Sequence, residues 1–249
     1  VEESLADFNE SKNILLYGDS GIGKTVAAAG IATAERRTVL MSTERGAVSA
    51  KRTGSIAGLY RAMDWDHVEA SLDKADEELG ENDWLIPDSI SRMQHLLLRW
   101  ILEAEHDMRD SDLDTPQLQH YPKWWNMYKR FIDRMIDARY NTLMVATAMH
   151  LEDVEGEPII VPALMGSNKD PLQIANYVCA QADSVFYLGK PKAKKGEAQL
   201  RRILTDSQPP YFAKNRYSGT LPKFVDFEDG EYDIMDWVIQ QMELPVGSE

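Results

Sequence analysis

The octapeptide Gly18-Asp19-Ser20-Gly21-Ile22-Gly23-Lys24-Thr25 fits the pattern G-x-x-x-x-G-K-[ST] at every position. It constrains the fold because such a loop works only between a strand and a helix. Glycines let main-chain N–H groups converge on phosphate oxygens, and the following helix adds the positive end of its dipole. Both flanks are present. Asn13–Tyr17 (NILLY) is a short apolar run that reads as a buried parallel strand, and Ile22–Glu35 is alanine-rich and proline-free, a helix pattern. The loop therefore predicts ATP bound with Mg2+ by Gly18 through Val26, with Lys24 on the β and γ phosphates and the Thr25 hydroxyl on magnesium.

Strands alternate with helices along the rest of the chain. Thr38–Ser42, Trp84–Pro87 and Thr142–Ala148 read as further strands, and 64–79, 90–108 and 124–139 as amphipathic helices. Residues 109–122 and 152–171 read as loops, the second as a loop or strand-turn excursion. Asp170-Pro171 resembles an N-cap and first helical position for a helix running to Ala182. Ser184–Leu188 and Leu200–Thr205 read as a hairpin, and 233–244 as a final helix. The expected class is α/β, a mostly parallel central sheet with helices on both faces and a late β-hairpin. The expected organisation is an ATPase core over 1–225 and an acidic tail with a short helix over 226–249.

Ligands of such sheets sit at the carboxyl ends of strands, so residues just past each strand are the candidates. Asp88, closing Trp84-Leu85-Ile86-Pro87-Asp88, is read as the second magnesium ligand, and Asp88 and Ser89 also suit a helix N-cap before Ile90. Pro87 fits a strand only where it is ending. Glu44, after the second strand, stands where a group could orient water beside the γ-phosphate, or pair with Arg45 on the surface. His150 follows the fourth strand in the same way, as a γ-phosphate sensor or a structural histidine. Lys214 and Arg216 are either solvated cations or fingers offered to a neighbouring subunit's nucleotide.

Charge limits the partners. A net charge of −14 argues against indiscriminate coating of duplex DNA. Yet Lys190–Lys223 holds nine Lys or Arg against Glu197 and Asp206, a net +7, followed by eight acidic and no basic residues. The single cysteine, Cys179, lies in an apolar helical stretch and reads as a buried small hydrophobe. It excludes an internal disulfide and, with no signal-peptide pattern or membrane-length apolar run, points to the cytoplasm.

From about Asn13 to Pro222 the order of these pieces resembles the RecA-like ATPases, in particular bacterial RadA and the phage RecA-like single-strand annealing or recombination ATPases. Ser42-Thr43-Glu44-Arg45 is similar to the family's strand ending in a catalytic glutamate, and Leu85-Ile86-Pro87-Asp88-Ser89 to its hydrophobic-Asp-Ser segment. Met144-Val145-Ala146-Thr147-Ala148-Met149-His150 resembles the strand ending in a polar sensor. Gln181-Ala182-Asp183-Ser184 through Leu188 resembles its aspartate-then-strand segment, and Lys214-Asn215-Arg216 its Lys-Asn-Arg motif.

The resemblance implies catalytic roles for Lys24, Glu44, His150, Lys214 and Arg216, and ATP at subunit boundaries of a homo-oligomeric ring or filament. It also implies single-stranded DNA facing the loops after the Asp88 helix and after His150, and a single-strand-binding or annealing protein as a further partner. If phage-encoded, such a protein works in the host cytoplasm. The loop after His150 departs from this pattern. Glu152, Asp153, Glu155 and Glu157 make it acidic, with Lys169 its one cation, so DNA contact would fall to Arg109, Lys123 or the Lys190–Lys195 turn. Tyr121, Trp124 and Trp125 offer rings for base stacking, core packing being the competing fate. The expected function is a DNA-stimulated, self-assembling ATPase of phage-type recombination. The alternatives are a nucleotide-gated scaffold without DNA binding and a P-loop small-molecule kinase.

Overall fold

Six consecutive residues, Asn13–Gly18, are buried and form β1. A strand without an exposed face needs layers above and below it, which a parallel sheet clothed by helices supplies. The computed structural model describes residues 11–44, 49–51, 56–104, 116–153, 155–167, 169–192, 199–217, 219–228, 230–231 and 233–244. After β1 come α1 (Lys24–Ala29), β2 (Thr38–Ser42), β3 (Gly58–Arg61), α2 (Trp65–Glu78), β4 (Trp84–Asp88) and α3 (Ile90–Ala104). Then follow α4 (His120–Ile136), β5 (Asn141–Glu152), β6 (Pro158–Pro162), α5 (Gln173–Gln181) and β7 (Ser184–Gly189). The chain finishes with β8 (Arg201–Leu204), β9 (Lys214–Asn215), β10 (Phe224–Phe227) and α6 (Ile234–Glu243).

Among the described residues the sheet order is β10-β8-β7-β1-β5-β4-β2-β3, with β6 added to β5 and β9 to β7. The strands from β7 to β3 are parallel, whereas β8, β10, β6 and β9 pair antiparallel. This is the α/β class expected from the sequence, a mostly parallel sheet with helices on both faces and the late β7–β8 hairpin. On one face α2, α3, α4 and α5 bury Trp65, Leu72, Leu97, Trp124, Phe131 and Val178 against the sheet. On the other, α1 contributes Ala27–Ala29 and α6 contributes Met235, Val238, Ile239 and Met242. Within residues 226–249, therefore, the acidic composition accompanies a helix whose apolar stripe belongs to the core, and Arg36 pairs with Asp236 of that helix.

Several boundaries differ from the sequence reading. The first helix stops at Ala29 rather than Glu35. Gly30 interrupts the alanine run, and the amides of Gly30, Ile31 and Ala32 turn to carbonyls three residues back, tightening the chain toward β2. The fourth helix begins at His120, not Trp124, because Pro122 falls in its first turn, where no N–H is required. Asp170-Pro171 does not cap α5. Leu172 occupies that place, while the Asp170 amide is held by Ser167 in the preceding turn. The strand expected to end at Ala148 runs on to Glu152 and returns as β6, so part of 152–171 is a hairpin arm. Pro87 sits one residue inside β4, and the β4–β5 register lapses at Ile86 and Pro87. The edge strands β3 and β10 are four residues each, too short to stand out in the sequence.

Tyr17, the residue before Gly18, ties the phosphate-loop strand to two distant segments. Its hydroxyl lies 2.9 Å from the Ile160 carbonyl oxygen and 2.6 Å from that of Phe212, and the Phe212 amide approaches the same oxygen at 3.1 Å. Burial pushes its pKa up, so it stays a neutral donor. Tyr17→Phe strands part of this buried network, and urea denaturation should show a loss of about 1–3 kcal/mol. An unchanged midpoint would mean that the hydroxyl does not hold these strands.

Candidate nucleotide-binding site

β1 ends at Gly18, where a Cβ would overlap the Leu188 carbonyl oxygen of β7, so sheet packing alone demands glycine there. Gly23, at the entry to α1, has φ of 100°, in the left-handed region that other residues avoid. Between them the chain curls around the Lys24 side chain. Its Nζ donates to the carbonyl oxygens of Gly18 at 2.9 Å and Asp19 at 2.8 Å. Burial lowers the Lys24 pKa, against the opposing pull of Asp88, Asp19 and Glu44. An ammonium held this way is partly stripped of water and surrounded by carbonyl oxygens, a setting in which a polyphosphate is a strong competitor for it.

Thr25 Oγ1 donates to Asp88 Oδ2 at 2.6 Å. This contact joins the start of α1 to the carboxyl end of β4, and Thr43 of the β2 exit bonds the Asp88 carbonyl. Burial raises the Asp88 pKa; the Thr25 hydrogen bond opposes this, the charge of Glu44 adds to it and Lys24 opposes it. A half-buried carboxylate beside a hydroxyl, with its ionised form penalised, suits a hard divalent cation. Thr25 and Asp88 would hold Mg2+, which would offset the negative charge of a bound polyphosphate. Among the described residues no cluster of three or more His, Cys, Asp or Glu forms a self-sufficient metal site.

These groups share a cavity of about 370 Å³ lined by Ser20, Gly21, Gly23–Ala27, Glu44, Asp88, Ser89 and Thr147. Glu44 is exposed at its rim, its carbonyl oxygen accepting the Ser42 hydroxyl at 2.9 Å; Arg45 lies outside the described residues. His150 does not follow the strand but lies within β5, three residues beyond Thr147. Its Nε2 is 2.8 Å from Asp19 Oδ1 in the phosphate loop, with both side chains largely exposed. Glu44, Asp88, His150 and the loop thus gather at one end of the sheet, as their positions after or late in parallel strands imply.

Lys214 and Arg216 lie at the opposite end. Lys214 Nζ donates to the Cys179 and Ala180 carbonyl oxygens at the end of α5, at 2.8 and 3.1 Å, and Arg216 Nη1 is 2.7 Å from Asp183 Oδ1. Asn215 of the same motif sits opposite Ser184, the first residue of β7. Neither cation reaches this chain's own cavity. The buried Cys179 thiol is pushed up to about 12, the behaviour of a small core residue.

The aromatic trio divides. Trp124 is a core residue whose Nε1 donates to the Gln94 carbonyl oxygen at 2.7 Å, which removes it from base stacking. Tyr121 and Trp125 are half-buried, their ring centroids 5.6 Å apart. Arg109 and residues 193–198 of the basic turn lie outside the described residues. Sequence reasoning missed Arg201, Phe227 and Glu231, which line the same cavity from β8, β10 and the following loop. The only sequence signal was alternation along two strands, too short in each to read.

The model of the AAA domain family matches residues 10–217. No curated protein matches the chain. Similar solved structures include a KaiC-like protein from the hyperthermophilic archaeon Pyrococcus horikoshii OT3, at 14% identity over 80% of this chain and 81% of that one, TM-score 0.46. Another is the flagellar accessory protein FlaH from Methanocaldococcus jannaschii, at 13% identity over 89% of this chain and 86% of that one, TM-score 0.47.

Because the Asp88 pKa is raised in the folded state, its ionised form costs stability at neutral pH, and that cost vanishes as pH falls through the raised value. Asp88→Asn keeps an acceptor for Thr25 and removes the charge. At pH 7.5 the nucleotide-free variant should melt about 2–4 °C higher, equivalent to about 1 kcal/mol in a chain of this length, with the gap closing on acidification. It should also lose the extra thermal shift that Mg2+ gives over ATP alone. A lower melting temperature, or an intact Mg2+ effect, contradicts this reading of the site.

Proposed function

The chain belongs to the AAA domain family of P-loop ATPases, and from that premise we propose a self-assembling RecA-like ATPase that acts on single-stranded DNA in phage-type recombination or annealing. The observation that carries the ATPase reading is the Thr25–Asp88 pair set beside the loop-bound ammonium of Lys24, in a cavity that Glu44 shares. ATP lies along Gly18–Val26 with its γ-phosphate toward Asp88 and Glu44. Glu44 orients a water whose oxygen bonds to the γ-phosphorus as the bridge to the β-phosphate breaks, and it accepts that water's proton. ADP and inorganic phosphate leave. His150, through its contact with Asp19, senses whether the γ-phosphate is present.

Lys214 and Arg216 support an oligomeric reading by their position. Standing away from their own chain's cavity, they serve a site only if a neighbouring copy presents it, as rings and filaments do. Single-stranded DNA is supported by the ordered motifs of the RadA-like and phage RecA-like ATPases and by the Tyr121–Trp125 ring pair. Among the described residues no helix is long and apolar enough to cross a membrane.

A second reading, nucleotide-gated assembly without DNA, is favoured by the fate of the basic segment. Arg201 bonds the phosphate loop, Arg202 pairs with Asp226, Lys214 caps α5 and Arg216 pairs with Asp183. Four of the nine cations in Lys190–Lys223 are thus spent inside the chain.

Phosphate release with and without single-stranded DNA separates the two. The recombination reading expects turnover to rise with DNA, whereas transfer of phosphate to a small acceptor instead would indicate a kinase. Glu44→Gln should lower kcat by about 10²–10⁴-fold while leaving ATP affinity within about threefold. Full turnover in that variant would remove Glu44 from the mechanism.

A further inference from the structure

β8 and β10 pair antiparallel with Arg201 opposite Phe227 and Arg202 opposite Asp226. Successive side chains in a strand point to opposite faces, so these two cross-strand pairs are on opposite sides of the sheet. Arg202 and Asp226 close on each other in a two-pronged ion pair at 2.6 and 2.7 Å, with the guanidinium 3.9 Å from the Phe224 ring centroid. Arg201 and Phe227 take the α1 face. Phe227 packs in the same apolar cluster as Ala27 and Ala28, and Arg201 Nη1 donates to the Ile22 carbonyl oxygen. The Arg201 guanidinium fills the space that a Cβ on Gly23 would need. With Gly230 and Glu231 these two residues complete the nucleotide cavity, and Glu231 Oε2 is held by the Glu228 amide at 2.6 Å.

Sheet order divides the cavity into two flanks. Asp88, Glu44 and Thr147 come from β4, the β2 exit and β5, all on one side of β1. Arg201, Phe227 and Glu231 come from β8, β10 and the loop after it, on the other side. The first flank carries the hydroxyl and carboxylates that handle phosphate and its metal. A nucleotide whose γ-phosphate lies there directs its opposite end toward β8 and β10.

We propose that Arg201, Phe227 and Glu231 form the wall that holds the nucleoside, with Arg201 as a positioning and specificity-determining residue acting within its own chain. The proposal rests on the ATP-binding reading above and adds what lies beyond the phosphates. The chemistry of the wall is matched to a purine nucleoside. A planar guanidinium packs against a ring face, an aromatic edge borders it, and a carboxylate accepts hydrogen bonds from an amino group or from ribose hydroxyls. By bonding Ile22, Arg201 also registers the nucleoside wall against the phosphate loop.

The test compares ATP with inorganic tripolyphosphate, which offers the same phosphates and no nucleoside, by calorimetric titration in Mg2+. Arg201→Met should weaken ATP by about tenfold or more and leave tripolyphosphate within about twofold. Arg201→Lys, which keeps the charge but not the plane, should stay weakened for ATP. Glu231→Gln, at an exposed position outside the core, should weaken ATP about threefold or more without affecting tripolyphosphate, and it serves if the Arg201 variants fail to fold. Equal losses for both ligands would make Arg201 a prop for the loop alone and overturn the proposal, as would unchanged ATP affinity in the variants. Wild-type protein that binds tripolyphosphate as tightly as ATP would sink the nucleoside wall and spare the phosphate site. Wild-type protein that binds neither would sink the ATPase reading itself.

Discussion

The parallel ladders on both sides of β1 are the constraint on which the rest depends. Leu16 lies opposite Val145 on one flank and Phe186 on the other, and at Gly18 the neighbouring Leu188 backbone comes too close for any side chain. A strand clamped in this way must release its chain at one end, in the crevice between its neighbours, which is where parallel sheets place ligands. The loop, the Lys24 ammonium and the Thr25 hydroxyl are fixed by that exit. The Thr25–Asp88 bond then joins it to β4 across β5, so one local geometry sets the positions of groups far apart in sequence.

Electrostatics in the cavity is arranged around charges kept short of their best partners. Lys24 is partly desolvated among carbonyl oxygens, and the half-buried Asp88 has the carboxylate of Glu44 near it as well as Lys24. A polyphosphate with a divalent cation would relieve both costs. Elsewhere several charges are met within the chain. Arg134 meets Asp73 and Asp76, and Asp183 receives both the Asn13 amide and Arg216.

The sequence was most readable where one physical demand acted alone. NILLY, TVLMS and WLIP are strands because they are buried on both faces, and α2 follows from Asp64 capping its start and from Trp65, Val68, Leu72 and Ala75 recurring on one side. The phosphate loop was legible residue by residue. Where two demands met, reading failed. His150 and Glu152 belong to an exposed hairpin arm, whose partner strand lies in a segment with three prolines and two glycines between 152 and 171, a composition that reads as a loop or strand-turn excursion. The basic segment stood out by composition alone, but partners of its cations lie 24 to 179 residues away in sequence, and no local pattern reveals them. Arg201 is the sharpest case. Next to Arg202 it reads as one of a charged pair, and only the pairing of β8 with β10 sends the two to opposite faces.

The most direct test is Mg2+-dependent phosphate release from ATP by the wild-type chain and by Lys24→Ala, with circular dichroism confirming that both are folded. The loop-bound ammonium predicts turnover in the first and, in the second, a loss of at least about 10²-fold, since among the described residues no other cation is bonded to the Gly18 and Asp19 carbonyl oxygens. Turnover that survives the substitution would place the chemistry elsewhere.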